Sequence, residues 1–117
     1  IDVSGSIGRK ELNVFMSEIH AIYDEGFSIT VIEFDSSIRK IYPYEGTPPS
    51  VVNGRGGTSF DCVLIEKREN WSELDLVIFT DGYASLPQLE HEEEVLWVLS
   101  EDGCFGQYPE RKILLKE

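Results

Sequence analysis

The chain has 117 residues, with 22 acidic against 10 basic side chains and a net charge of −12. That length holds one domain with one core. The charge speaks against nucleic acid, whose binders neutralise phosphate with cations, and against anionic membrane surfaces. A hydrophobic share of 41% fits a soluble globular chain, and no apolar run nears the roughly 18 residues of a membrane span.

The chain opens on Ile1-Asp2-Val3-Ser4-Gly5-Ser6-Ile7-Gly8. An apolar residue leading into Asp-x-Ser-x-Ser, with a helical pattern directly behind, is how a buried parallel strand ends when it must present oxygen atoms. One carboxylate and two hydroxyls at alternate positions converge above the strand end, and hard oxygen donors suit Mg²⁺, Mn²⁺ or Ca²⁺. A central strand needs roughly five residues, yet only Ile1 precedes Asp2. The expectation is one domain over 1–117 that lacks upstream residues, including most of its first strand.

Between Ile7 and Asp24 the residues Leu12, Phe15, Met16, Ile19, Ile22 and Tyr23 recur at steps of three and four, which predicts an amphipathic helix. Gly26 is its expected stop. Ser28 to Phe34 is β-branched and predicts a strand. Asp35-Ser36-Ser37 is a turn, and Ile38 to Tyr44, with Arg39, Lys40 and Pro43, predicts an edge strand of an antiparallel hairpin. An irregular passage from Pro48-Pro49 leads to Asn53-Gly54-Arg55-Gly56-Gly57-Thr58-Ser59. A second helix follows, with Thr58 or Ser59 as N-cap, Asp61 in its first turn and Phe60, Val63, Leu64 and Trp71 as candidates for its buried face.

Leu74 to Thr80 predicts a strand apolar on both sides, as in a parallel sheet covered by helices, and it ends at Asp81-Gly82. Val95 to Leu99 and Ile113 to Leu115 predict two more strands. Strand, helix, hairpin, helix, strand, strand is an α/β order with a mainly parallel sheet. Between Asp81 and Val95 the chain barely has the dozen residues that a parallel crossover needs, and Pro87 interrupts it. Helix cover is therefore expected to be reduced on one side, with an upstream domain or a dimer partner over that thin face.

Cys62 and Cys104 lack zinc-finger spacing and are expected to be reduced thiols of a cytoplasmic protein. His20 and His91 stand apart from other soft ligands and are expected to be ordinary residues.

In a doubly wound sheet, ligands lie beyond the carboxyl ends of the strands, at the point where strand order reverses. The strands meeting there end at Asp2 and Asp81, and the Gly56-Gly57-Thr58 loop brings a hydroxyl to the same crevice. The expected constellation is Asp2, Ser4, Ser6, Thr58 and Asp81. Asp35, also at a strand end, is either an outer acceptor or a turn former, with the turn preferred. Gly57, Gly82 and Tyr83 are candidates for the rim.

Asp-Val-Ser-Gly-Ser, then Gly-Gly-Thr, then Phe-Thr-Asp-Gly resembles the von Willebrand factor A family and its metal-ion-dependent adhesion site. The Gly-Arg-Gly-Gly-Thr loop, Tyr83 and the Val-Leu-Trp-Val-Leu strand further resemble a compact bacterial and phage group, whose module lies C-terminal to a metallopeptidase-like domain. The resemblance implies a Rossmann-like three-layer fold. It implies Mg²⁺, with Mn²⁺ or Ca²⁺ as alternatives, held by all five positions, and a protein partner whose acidic side chain completes the metal's shell. Two other classes stay open. One is a metal-dependent hydrolase, against which stand Ser4 in place of a second carboxylate and the lack of a Gly-x-Ser-x-Gly, P-loop or His-Glu-x-x-His motif. The other is an accessory domain with a vestigial site.

Overall fold

A computed structural model describes residues 1–47, 56–83 and 95–100, together with the backbone of 112–114. Helix α1 spans Arg9–Asp24, strands β1 and β2 span Thr30–Phe34 and Ile38–Pro43, and helix α2 spans Asp61–Asn70. Strands β3, β4 and β5 span Leu76–Thr80, Val95–Leu99 and Lys112–Leu114. The passage at 48–55, the crossover at 84–94 with its expected thin cover, His91, Cys104 and Leu115 lie outside the described residues.

The period of the first helix is realised as expected, with Leu12, Phe15 and Ile19 buried in one stripe. It begins at Arg9, two residues later than the apolar pattern, because the Gly8 amide donates to Glu11 Oε1 at 3.2 Å and starts the first turn there. At its other end Gly26 takes φ +100° and donates to Tyr23 O at 3.0 Å. A side chain is strained in that conformation.

β1 and β2 form the antiparallel hairpin, paired from Thr30↔Pro43 to Phe34↔Ile38 with an irregularity between Glu33 and Phe34. β3, β4 and β5 are parallel neighbours in that order. Residues 1–3 connect the two groups. Asp2 N donates to Phe79 O on one side, while Val3 N donates to Phe34 O and Phe34 N to Ile1 O on the other. The opening segment thus lies between β1 and β3, and its end stands beside the end of β3.

Neighbouring residues of a strand project to opposite sides. Phe79 and Val98 join Val3, Phe15 and Ile19 in one core cluster under α1. Ile78, Trp97 and Leu99 join Phe34, Val63 and Leu64 in a second cluster under α2. The apolar runs of β3 and β4 are thereby used on both sides.

The expected cap of the second helix is corrected. Phe60, and neither Thr58 nor Ser59, is the N-cap residue, and no side chain bonds there. Phe60 is 2% exposed, stacked edge-on against Trp97 at 4.9 Å and Phe34 at 6.0 Å between ring centres. Burying such a ring is worth about 1.5–3 kcal/mol, against about 1 kcal/mol for a serine cap. The packing decides where the helix starts.

Candidate metal centre

Asp2 is fully buried at the end of the opening segment. Its Oδ1 accepts the Ser4 amide at 2.9 Å, and its Oδ2 accepts the Thr80 hydroxyl at 2.5 Å. The Ser4 amide bond turns the chain upward, and Ser4 Oγ then lies 3.4 Å from Ser6 Oγ. Ile7 closes this turn by donating to Ser4 O at 3.1 Å, with its own side chain buried in the α1 cluster. Three of the five expected residues therefore share one small region.

Asp81 ends β3, buried at 3% exposure. Its Oδ1 accepts the Tyr83 amide at 3.1 Å, and Gly82 between them takes φ +79°. The Gly82 amide donates to Thr80 Oγ1 at 3.1 Å. Thr80 thus links the two acidic strand ends, giving its hydrogen to Asp2 and accepting one from Gly82. The motif Phe-Thr-Asp-Gly contains this residue, but the sequence gives a threonine inside a strand no distinguishing mark. Tyr83 is 60% exposed.

Burial raises the Asp2 carboxyl above its ordinary value. Hydrogen bonds from Ser4 and Thr80 oppose that shift, and the charge of Asp81 adds to it. Two carboxylates that repel each other in a buried place favour either a proton or a cation.

The loop carrying Thr58 is tied at both ends. Gly56 O accepts the Gly5 amide at 3.0 Å, the Gly56 amide donates to Asp35 Oδ2 at 3.0 Å, and the Ser59 amide donates to Asp35 O at 2.9 Å. Thr58 lies between these anchors, half-buried. Its hydroxyl makes no hydrogen bond to the other four side chains among the described residues.

Asp35 does more than form a turn. Its Oδ1 accepts the Ser37 amide at 3.2 Å and Arg39 Nε at 2.7 Å, while its Oδ2 holds the Gly56 loop. Burial pushes its carboxyl up, but these hydrogen bonds and the Arg39 charge outweigh burial and bring it down to about 2. Gly56, and not Gly57, makes the close approach. A Cβ at Gly56 would stand 3.1 Å from Asp35 Oδ2, whereas one at Gly57 meets nothing within 4 Å. Gly56→Ala is therefore expected to cost about 1 kcal/mol of unfolding free energy, and Gly57→Ala close to none. Chemical denaturation of the pair checks this, and equal costs would contradict it.

All the donors are oxygens, and among the described residues no three His, Cys, Asp or Glu side chains cluster. An octahedral Mg²⁺ with bonds of 2.0–2.1 Å places adjacent ligands about 2.9 Å apart. The Ser4–Ser6 separation of 3.4 Å is within a small side-chain adjustment of that value. One strand further on, Ser100 donates its amide to Thr80 O, and its buried hydroxyl has no hydrogen-bond partner among the described residues. The donor set fits a hard divalent cation. His20 lies elsewhere, on α1, with Nδ1 2.7 Å from the Tyr44 hydroxyl. Cys62 is a free thiol that donates to Ser59 O.

An opening segment paired with strands on both sides, and acidic residues at the ends of two adjacent strands, define a VWA-like α/β domain. The family model described as "VWA-like domain (DUF2201)" matches residues 1–112, and the chain belongs to that family. It is also 32% identical over 106 residues to an uncharacterized protein of Thermotoga maritima, a match covering 86% of this chain and 25% of the relative. The chain thus spans about a quarter of that relative's length. No solved structure matches.

Proposed function

We propose that this domain is a divalent-metal-dependent protein-binding module with a Rossmann-like three-layer VWA fold. Ser4 and Ser6 would hold the ion directly, and Asp2, Asp81 and Thr58 would hold it directly or through water. The bound cation supplies a positive, electron-poor centre that takes an acidic side chain from a partner. The observation that carries this reading is the pair of serine hydroxyls, 3.4 Å apart, above a buried aspartate.

Charge supports the same reading. A chain of net charge −12 attracts cations, and a bound ion would give an acidic side chain a local point of attraction. Mg²⁺ suits the oxygen donors best, and Mn²⁺ or Ca²⁺ have the same preference. The free Cys62 thiol agrees with a reducing, cytoplasmic setting. Attachment to a metallopeptidase-like domain belongs to the same proposal.

Thermal unfolding with Mg²⁺ or Mn²⁺ against a chelator tests it. The metal is expected to raise the midpoint, and Asp81→Ala to remove the rise. An identical rise in Asp81→Ala would mean that the ion binds elsewhere.

A further inference from the structure

The ends of β3 and β4 repeat a pairing used one strand earlier. In a parallel ladder, a residue whose amide bonds to a carbonyl lies beside the residue after that carbonyl. Asp2 N donates to Phe79 O, so Asp2 lies beside Thr80, and the Thr80 hydroxyl donates to its carboxylate. Ser100 N donates to Thr80 O at 3.1 Å, so Ser100 lies beside Asp81 in the same way. The register Thr80↔Leu99 leads to the same pair one residue further on.

Side chains alternate along a strand. Val98 packs in the cluster under α1 and Leu99 in the one under α2, so Ser100 falls on the α1 side. Ile78 packs under α2 and Phe79 under α1, so Thr80 returns to the α2 side and Asp81 to the α1 side. Ser100 and Asp81 therefore share one side of the sheet. Strands run about 4.8 Å apart, a separation that one hydrogen bond or one water spans.

The Ser100 hydroxyl is nevertheless unused by the protein around it. The residue is 2% exposed, and its Oγ has no hydrogen-bond partner among the described residues. A buried hydroxyl in that state is less favourable than an alanine of the same shape, and such groups call for a water or an ion nearby. Its neighbour Asp81, 3% exposed, has one carboxylate oxygen held by the Tyr83 amide. Each acidic strand end thus has a buried hydroxyl on the adjoining strand, and only the first has closed its bond.

We propose that Ser100 is a further residue of the metal centre, a positioning residue that orients the Asp81 carboxylate and meets the water shell of the bound cation. The assignment rests on the metal reading above and extends the site to β4. Mg²⁺ keeps several waters, and the charge of a bound cation makes its waters strong donors. A serine hydroxyl accepts one such hydrogen and gives its own to a carboxylate. Alanine does neither. The hydroxyl is therefore a small burden on the metal-free fold and is satisfied when the ion is bound.

Mg²⁺ titration by calorimetry, with thermal unfolding in chelator, tests this on the parent, Ser100→Ala and Ser100→Thr. Ser100→Ala is expected to weaken Mg²⁺ binding about tenfold, as loss of a partner one step from a metal does, while its metal-free midpoint stays level or rises. Ser100→Thr keeps the hydroxyl and is expected to bind like the parent. A hydroxyl with a purely structural role gives the opposite pattern. Ser100→Ala would then lose about 5 °C in its metal-free midpoint at unchanged affinity, and that result overturns the assignment. Unchanged affinity with unchanged stability overturns it too. If Ser100→Ala loses both, Ser100→Thr decides: recovered affinity supports the assignment, and unrecovered affinity overturns it. A parent chain that binds no Mg²⁺ overturns the metal reading and this assignment together. A parent that binds no more tightly than Ser100→Ala overturns this assignment alone.

Discussion

Asp2→Asn is expected to abolish stabilisation by Mg²⁺ while leaving the metal-free chain at least as stable at pH 7. Both halves follow from the same burial. Asp2 is inaccessible to solvent and lies near the charge of Asp81, so ionising it in the absence of a cation is unfavourable. Asparagine keeps the shape and an oxygen for the Ser4 amide, replaces the oxygen that accepts from Thr80 with an NH2 that donates to Thr80 Oγ1 instead, and removes the charge. In the metal-free chain, the raised carboxyl means that the folded state binds more protons than the unfolded state above pH 3.8. Stability therefore falls as pH rises through that window, and the substitution removes this fall. With Mg²⁺ at a hundred times its dissociation constant, the parent chain gains about 2.7 kcal/mol, or roughly 10 °C for a domain of this size. Calorimetry of the two proteins with and without Mg²⁺ reads both effects, and an equal metal gain in the two would show that Asp2 plays no part.

Asp35→Ala is expected to cost about 2–3 kcal/mol and to weaken metal binding from a distance. It removes the acceptor for Ser37, Arg39 and Gly56 together, and leaves the part-buried Gly56 amide without its partner. The loop between Gly56 and Ser59, which carries Thr58, loses one of its three hydrogen-bond ties. Acidity gives a second readout. The carboxyl ionises at about 2 in the folded chain against 3.8 ordinarily. Its contribution is complete above pH 3.8 and is lost as pH falls from 3.8 towards 2. Urea unfolding of the parent should show that loss and Asp35→Asn should not. Parallel acid profiles would rule out the Asp35 tie as a source of stability.

The parts of the fold legible in the sequence are those where one physical signal dominates. The stripe Leu12, Phe15, Ile19 set α1, the double-sided apolar runs set β3 and β4, and the close spacing around Asp35 set the hairpin. Boundaries were less legible. The apolar pattern predicts Leu74 inside β3, but its amide closes a turn onto Trp71 O and its side chain is half exposed. Ser59 has a good capping side chain, but its amide is held by Asp35 O while Phe60 fills the core. Each depends on a contact distant in sequence, to which local pattern is blind.

The candidate site divides the same way. Asp2, Ser4 and Ser6 share one turn, so their spacing alone implied their convergence, and the switch-point rule set Asp81 beside them. The link from Asp35 to Gly56 spans 21 residues, and that from Thr80 to Asp2 spans 78. Neither leaves a mark on its own stretch of chain. In the sequence Thr80 therefore carries no signal and Asp35 reads only as a turn, although both hold other residues of the site in place.

Calorimetric titration of Mg²⁺ and Mn²⁺ into the metal-free chain tests whether this site holds an ion. One ion per chain is expected to bind, and binding is expected to disappear in Asp81→Asn. No saturable heat at millimolar concentrations of either ion, in a chain shown to be folded, would contradict the metal-dependent account.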